Sequence, residues 1–327
     1  MALTLGRRSV GNGFRRAIHH MRLNSVKGQR FYNTTVSKEE RSGNSGNVKV
    51  MVITEFPFLV SRGTGGTVVS ERRGVVMVIG INRPEARNAV NQETAQRLTE
   101  ELTAFDKDNS LHAAVLYGVG GNFCAGFDLK ELAHAGSLKL EQDVHCSPGP
   151  MGPSRMRLSK PLIAAVSGYA VAGGLELALL ADLRVVEESS IMGIFSRRFG
   201  VPLIDGGTVR LPQLIGLSRA LDLILTGRPV KAQEALTFGL ANRVVPDGRA
   251  LEVALELAEQ VSAFPQLCLR ADRNSTYHAV FDSSSFTQAM QYEIDHGLPV
   301  IPAEAVTGAT KFSSGVGRGG TFSKSKL

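Results

Sequence analysis

The stretch AVSGYAVAGGLELALLAD, residues 165–182, combines an apolar run, a pair of glycines and one internal acid, Glu176. A carboxylate is costly to bury unless another group pairs with it or a reaction uses it. Glu176 is therefore the first candidate for a catalytic residue. The alternative is a buried core helix that carries one glutamate with a structural partner.

The glycine pair Gly173-Gly174 lies two residues before this acid. Glycine lets the chain turn tightly into a helix and lets a ligand lie against bare backbone. Amides at the start of a helix carry positive partial charge, and such donors stabilise a developing oxyanion. The stretch thus predicts an anion-stabilising turn beside an acid.

Strand and helix patterns alternate around this turn. Pro161–Val166 and Leu183–Val186 predict strands, and Gly173–Ala181 predicts the helix between them. This order implies a parallel crossover, and ligands of such sheets gather beyond the carboxyl ends of the strands. Ala125-Gly126 and Gly173-Gly174 both fall at such ends.

The same pattern occurs earlier in the chain. β-branched residues at Val68–Val69 and Val75–Ile79 predict a hairpin, and apolar spacing predicts an amphipathic helix over Asn91–Asp108. Ala113–Tyr117 then predicts a buried strand. Helices that cover a sheet or make subunit contacts are expected beyond Leu211, at Ser218–Thr226, Lys231–Phe238 and Arg249–Phe264.

Five blocks of sequence follow one another between Thr67 and Thr276. They are NRPEARNAVN at 82–91, NFCAGFDLKEL at 122–132, KPLIAAVSGYAVAGGLELALLADLRV at 160–185, GVPLIDGGTVRLPQLIG at 200–216 and LTGRPVKAQEALTFGLANRVVP at 225–246. In this order they resemble the crotonase, or enoyl-CoA hydratase/isomerase, superfamily. One block alone is modest evidence, whereas five in order are a specific signal.

The resemblance implies both a fold and a substrate class. The fold is α/β, a crotonase-like spiral of ββα turns at 67–250, followed by a C-terminal helical region at 251–302 that assembles trimers or hexamers. The substrate is an acyl-CoA thioester, with coenzyme A as part of the substrate and no other cofactor. In the family, amides that match those of Phe127 and Gly173 clasp the thioester oxygen.

The resemblance also assigns residues to coenzyme A. Ala125 matches the position whose carbonyl receives the adenine amine, and Gly126 and Asp128 belong to the same AG-x-D block. Ala86 and Arg87 match the segment that runs along the pantetheine and the phosphates. Arg87 is a candidate phosphate partner, although exposed arginines often contribute nothing measurable.

Glu176 matches the first catalytic glutamate of the hydratases, but the second is missing. Counting back from Gly206 without a gap places Ser196 at that position, and no carboxylate occurs between Glu188 and Asp205. Asp205 is the nearest replacement. Its alternative role is that of a turn residue.

A hydratase of medium or long enoyl-CoA in fatty-acid β-oxidation is the first expectation, with Asp205 or a water held by Ser196 assisting Glu176. A double-bond isomerase is the second expectation, since one acid can move a proton between carbons. Decarboxylation of an acyl-CoA, another enolate reaction, is the third. The non-enzyme alternatives are a scaffold and an RNA-binding protein. The helix ETAQRLTEELTAFDKD sets two cations against four acids before its terminal Asp108, which disfavours contact with nucleic acid.

The net charge of +7 arises at one end of the chain. Residues 1–50 hold ten Lys or Arg and two acids, and no acid precedes Glu39, a composition typical of a mitochondrial transit peptide followed by a linker at 42–50. A disordered basic tail is the alternative. Residues 303–327 predict a flexible tail, and Ser325-Lys326-Leu327 matches a peroxisomal address. Both mitochondrion and peroxisome are therefore expected locations.

Other classes of protein fit the sequence poorly. Three cysteines without paired spacing favour free thiols in a reducing compartment, and no metal-binding motif occurs. The apolar run Pro161–Leu180 is long enough to span a membrane, but it contains Glu176, Ser167 and three glycines. We expect no membrane span.

Overall fold

The computed structural model describes residues 21–26, 29–34, 66–134, 142–144 and 148–317. The chain divides into two compact units, Met1–Pro57 and Phe58–Leu327. In the first unit, strand β1 (Met21–Val26) pairs antiparallel with strand β2 (Gln29–Thr34). The rest of the predicted leader, the linker at 42–50 and the C-terminal tripeptide lie outside the described residues.

The second unit contains the predicted hairpin and crossover. Strand β3 (Val68–Arg73) pairs antiparallel with β4 (Val76–Ile81). Helix α1 (Gln92–Lys107) then leads to β5 (Ala113–Gly118), which runs parallel to β4. The β-branched runs and the apolar stripe of the helix therefore predicted these elements correctly.

Two strands, rather than the one predicted, precede the glycine-rich helix. Strand β6 (Leu162–Val166) is followed by β7 (Tyr169–Val171), helix α3 (Gly173–Leu180) and β8 (Leu183–Glu187), and β8 runs parallel to β6. Strand β7 has three residues, which is too short for a periodic pattern to reveal.

The strands form two sheets in the second unit. Strands β9 (Ile191–Gly193), β10 (Val230–Lys231) and β11 (Arg243–Val245) complete them. The larger sheet has the order β11-β8-β6-β5-β4-β3 and the smaller sheet has the order β10-β9-β7. Strand β6 joins the larger sheet, β7 joins the smaller one, and α3 follows, which is the ββα turn that the resemblance implies.

Helices cover both faces of the larger sheet. On β4, Val76 and Val78 belong to an apolar cluster with Ala254, whereas Ile79 belongs to a second cluster with Leu98. This alternation follows from the two-residue period of a strand. The remaining helices are α2 (Leu129–His134), α4 (Gly207–Ile215), α5 (Leu217–Thr226), α6 (Ala232–Phe238), α7 (Ala250–Ser262), α8 (Gln266–Phe281), α9 (Phe286–Gly297) and α10 (Val306–Ser313).

The C-terminal segment differs from the sequence prediction. The composition of 303–327 predicts a flexible tail, whereas the structure has a π-helical turn at Ile301–Ala305 that continues into α10. The Glu304 carboxylate accepts the amides of Leu267 and Cys268 at 3.0 and 2.9 Å. Because a carboxylate is favourable at a helix start, this contact with the beginning of α8 anchors the turn.

The apolar run at Pro161–Leu180 is divided among β6, β7 and α3. Within the described part of the chain, no helix has the length and apolarity needed to cross a bilayer.

Candidate active site

A cavity of about 360 Å³ lies beside the first turn of α3. It is formed where the carboxyl ends of the strands pass into loops, as the sequence predicts. Its walls come from the segment at 125–132, from Pro150 and Met151, from the start of α3 and from the segment at 195–205.

Glu176 lies in the first turn of α3 and is 2% exposed. Its Oε1 atom accepts the backbone amides of Asp205 and Gly207 at 3.0 and 2.8 Å. Burial, reinforced by the nearby charge of Asp205, raises the pKa of Glu176 to about 7. A carboxyl with this pKa both accepts and releases a proton near neutral pH.

Asp205 lines the same cavity and is 5% exposed. Its Oδ1 atom accepts the Met151 amide at 3.0 Å and the Ser154 hydroxyl. The Arg210 guanidinium donates to the carbonyls of Asp205 and Ser154 at 3.2 and 2.8 Å. Burial raises the pKa of Asp205. Asp205 therefore joins two loops, and its main-chain amide rather than its carboxylate contacts Glu176.

The two predicted oxyanion donors belong to adjacent segments. The Cys124 amide donates to the Tyr169 carbonyl at 2.9 Å, which aligns the loop with β7. Gly126 has a φ of +101°, and a β-carbon added there would lie 3.1 Å from the Gly173 nitrogen. Among the described residues, no group accepts the amide of Phe127 or that of Gly173. Both amides are thus available to a ligand at the cavity, which both residues line.

The turn into α3 is strained. Ala172 has a φ of +53°, which is unfavourable for a residue with a side chain, and its amide donates to the Gly193 carbonyl at 2.8 Å. A β-carbon at Gly174 would lie 2.1 Å from the Cys124 carbonyl oxygen. The glycine therefore allows α3 to start directly against the loop that carries Phe127.

The predicted coenzyme A residues lie on a neighbouring loop. The Ala125 amide donates to the Arg87 carbonyl at 3.0 Å, so the loop that carries Ala86 and Arg87 contacts the AG-x-D block. Arg87 is exposed, and its guanidinium carbon lies 5.6 Å from the centre of the Tyr169 ring. This arrangement is compatible with phosphate binding by Arg87, which stays a prediction.

Asp128 has a different position from its neighbours in that block. It is absent from the cavity lining, and its carboxylate forms an ion pair with Arg83 at 2.9 Å and accepts the Lys130 amide at 3.1 Å. Burial opposes ionisation, but the hydrogen bonds from Arg83 and Lys130 outweigh it and hold the pKa of Asp128 below its usual range. The described contacts of Asp128 therefore fix the loop and the start of α2, and contact with coenzyme A stays a prediction.

Sequence reasoning missed residues that hold the loops around the site and the acid Asp205 in place. The side chain of Asn88 is fully buried and donates to the carbonyls of Val119 and Asn122 at 2.8 and 2.6 Å. Ser154 anchors Asp205 across 51 positions of sequence. No local pattern reveals such long-range pairs.

Ser196, which the gapless count placed at the position of the missing glutamate, lines the cavity together with Glu176. It lies in the 3₁₀ turn Phe195–Phe199 and is 8% exposed. The match of Ser196 to the missing glutamate stays a prediction, and Glu176 and Asp205 are the acids of the described lining.

Residues 71–298 match the family model of enoyl-CoA hydratase/isomerase. The chain belongs to this family. Within the family, it is 41% identical over 215 residues to enoyl-CoA hydratase EchA19 of Mycobacterium tuberculosis, an alignment that covers 64% of this chain and 79% of the relative. It is 36% identical over 208 residues to 2,3-dehydroadipyl-CoA hydratase of Escherichia coli, covering 63% and 80%.

A solved structure confirms the crotonase fold. The crystal structure of an enoyl-CoA hydratase from Mycobacterium tuberculosis superimposes with a TM-score of 0.70 and 36% sequence identity, covering 76% of this chain and 96% of the other. The fold class and the family expected from the five sequence blocks are therefore correct.

Proposed function

We propose that this enzyme adds water to 2-enoyl-CoA thioesters, with Glu176 as its single acid/base group. The observation that carries the proposal is one cavity in which a buried carboxyl with a pKa near 7 lies beside two amides without acceptors among the described residues. Acyl-CoA chemistry at the α-carbon passes through an enolate, whose oxygen needs such preorganised donors. The hydratase names of the relatives support the same reaction.

The proposed reaction needs one carboxylate and no cofactor beyond the coenzyme A of the substrate. Ionised Glu176 takes a proton from water while the water oxygen bonds to the β-carbon. The electron pair of the double bond moves to the thioester oxygen, where the amides of Phe127 and Gly173 stabilise it. Protonated Glu176 then delivers its proton to the α-carbon and returns to the carboxylate.

Asp205 has a positioning role in this proposal. Its amide donates to Glu176 at 3.0 Å, and its charge helps to raise the pKa of Glu176. Its own oxygen is engaged by Met151 and Ser154. Asp205 therefore positions Glu176 and helps to raise its pKa, and it does not replace the missing second glutamate.

Double-bond isomerisation is the second candidate function. The supporting observation is that no carboxylate occurs between Glu188 and Asp205, where the resemblance places a second glutamate, so that Glu176 carries protons without a matched partner. One acid suffices to move a proton between the α- and γ-carbons of an enoyl-CoA. Hydration and isomerisation both use the same enolate and the same amides.

A panel of thioesters separates these reactions. The enzyme is incubated with 2-enoyl-, 3-enoyl- and carboxyacyl-CoA, and the products are read by mass and absorbance. Gain of one water from the 2-enoyl ester is the expected result, whereas unchanged mass with shifted absorbance from the 3-enoyl ester indicates the isomerase. Loss of carbon dioxide, or no product from any ester, overturns the proposal.

Glu176→Gln tests the role of the carboxyl in the same assay. Turnover is expected to fall by at least 100-fold, roughly the contribution of general acid–base catalysis, with acyl-CoA binding retained. The matched control is Glu187→Gln, since Glu187 is also buried but accepts the amide of Gly248 away from the cavity. Equal turnover in the two variants would remove Glu176 from the mechanism.

We also propose a homotrimer or homohexamer, as the resemblance implies, and two cellular locations. The basic leader supports import into mitochondria, and Ser325-Lys326-Leu327 supports import into peroxisomes. Antibody staining of untagged protein is compared after deletion of residues 1–40 or of Leu327. Each deletion is expected to remove one compartment, and unchanged staining excludes the deleted signal.

A further inference from the structure

The hydroxyl of Ser196 is a buried polar group without a partner. The residue is 8% exposed, and its Oγ atom forms no hydrogen bond to any described residue. Buried polar atoms in folded proteins are nearly always hydrogen-bonded, to protein or to water. Because Ser196 lines the cavity, its orphan hydroxyl is expected to bind a ligand or a water molecule there.

The chemistry of the cavity shows what this hydroxyl can bind. Among the described lining residues, the polar side chains are those of Glu176, Ser196 and Asp205, and the other lining residues are apolar. Glu176 Oε1 and Asp205 Oδ1 already accept two hydrogen bonds each. An apolar acyl chain offers Ser196 no partner, whereas the oxygen that enters or leaves at the β-carbon does.

We propose that Ser196 Oγ holds the oxygen that adds to the β-carbon. This oxygen is the water in hydration and the 3-hydroxyl group in the reverse reaction, and the inference rests on the proposed hydratase function. As the water oxygen bonds to carbon, one of its protons passes to the Glu176 carboxylate and the other stays on oxygen. Ser196 keeps its own proton and forms no covalent bond.

The proposal separates two steps that share the same enolate. Removal and return of an α-proton of a saturated acyl-CoA need Glu176 and the amides of Phe127 and Gly173, but no oxygen at the β-carbon. Hydration needs all of these and also a held water. Loss of the Ser196 hydroxyl therefore affects hydration and spares proton exchange.

The test measures both reactions on each variant. Hydration of a 2-enoyl-CoA is followed by absorbance, and deuterium uptake at the α-carbon of hexanoyl-CoA in deuterium oxide is followed by mass. For Ser196→Ala we expect kcat for hydration to fall roughly 10- to 100-fold, as for loss of one hydrogen bond to the reacting group, with deuterium uptake within about twofold of the wild type. Ser196→Thr, which keeps a hydroxyl, is expected to recover most of the hydration rate.

Three results overturn the inference. They are wild-type hydration by Ser196→Ala, an equal loss of hydration and exchange in that variant, and no recovery in Ser196→Thr while exchange is intact. Failure of the proposed function has a different signature, since wild-type protein would then take up deuterium without hydrating any enoyl-CoA, or would do neither.

Discussion

Glu176 gains its reactivity from its surroundings, because burial and the charge of Asp205 outweigh the two amides that favour its ionised form. An ordinary glutamate is fully ionised at neutral pH and protonates carbon poorly. Glu176 populates both forms there, so one carboxyl performs the two proton transfers that the proposed hydration requires.

This pKa fixes the pH dependence of catalysis. Water loses its proton to the carboxylate form, so kcat/KM for hydration is expected to fall about tenfold per pH unit below a midpoint near pH 7. In Asp205→Asn the nearby charge is removed, and the midpoint moves to lower pH. A midpoint near 4.5 in the wild type, or an unmoved midpoint in the variant, contradicts this assignment.

The same shift makes stability depend on pH. The folded protein holds the Glu176 proton more tightly than the unfolded chain, so this contribution is complete below pH 4.5 and is lost as the pH rises through about 7. The shift corresponds to roughly 3 kcal/mol. Denaturant unfolding at pH 5 and pH 8 should therefore show wild type losing stability relative to Glu176→Gln. If the free energies of unfolding of the two proteins differ by the same amount at pH 5 and pH 8, the raised pKa of Glu176 is refuted.

At the scale of elements, two segments determine the site: the loop that carries Phe127 and the strained turn into α3. Gly126 has a positive φ and a β-carbon added there would lie 3.1 Å from the Gly173 nitrogen, whereas Gly121 has a φ of +87° and an added β-carbon would meet open space. Substitution of Gly121 therefore introduces backbone strain alone, whereas substitution of Gly126 introduces strain and also displaces the Gly173 amide.

Alanine at these two glycines is the corresponding test. Gly121→Ala is expected to cost about 1 kcal/mol of stability with unchanged turnover, because only its backbone conformation suffers. Gly126→Ala is expected to lower kcat about 100-fold as well, because the new methyl group displaces the Gly173 amide. Thermal unfolding and steady-state rates are measured on both. Equal turnover in Gly121→Ala and Gly126→Ala would show that catalysis does not use the amides of Phe127 and Gly173.

Elements with strong local patterns were predicted from sequence. The β-branched run of β4, the short apolar run of β5 and the apolar stripe of α1 suffice, because each element carries its own local pattern. Strand β7 has three residues and β10 two, and they exist through pairing with β9 rather than through local preference. Helix α10 was missed because Glu304, which anchors the turn before it, pairs with the distant start of α8.

The candidate site was predicted where glycines and a buried acid mark it. Glu176, Phe127 and Gly173 lie at one cavity, because close backbone contacts require the same glycines that the sequence displays. Two other assignments depended on contacts that no local pattern encodes. Asp128 pairs with Arg83, and Asp205 binds Ser154, each across more than 40 positions.

At the scale of the whole molecule, the C-terminal helices carry many exposed apolar side chains. Phe286 is 81% exposed and Phe312 is 58% exposed, and Met290, Ile294, Leu298 and Ile301 are exposed as well. Phe286, Met290 and Ile294 recur every four residues along α9, and an exposed apolar face of this kind is typical of an interface. It supports the proposed trimer or hexamer.

Light scattering of the intact protein tests this assembly. A mass of three or six 35.0 kDa chains is expected at micromolar concentration. Phe286→Ser is expected to lower the mass toward one chain without changing the far-ultraviolet circular dichroism, since the side chain is exposed in the single chain. A monomeric wild type, or an unchanged mass in Phe286→Ser, would exclude these helices as the interface.

A crystal structure with a bound acyl-CoA tests the central claim most directly. The thioester oxygen is predicted to lie about 2.7–3.1 Å from the amide nitrogens of both Phe127 and Gly173, with the Glu176 carboxyl in contact with the α-carbon. A thioester oxygen that points away from these nitrogens, or a Glu176 side chain beyond reach of the reacting carbons, would contradict the account.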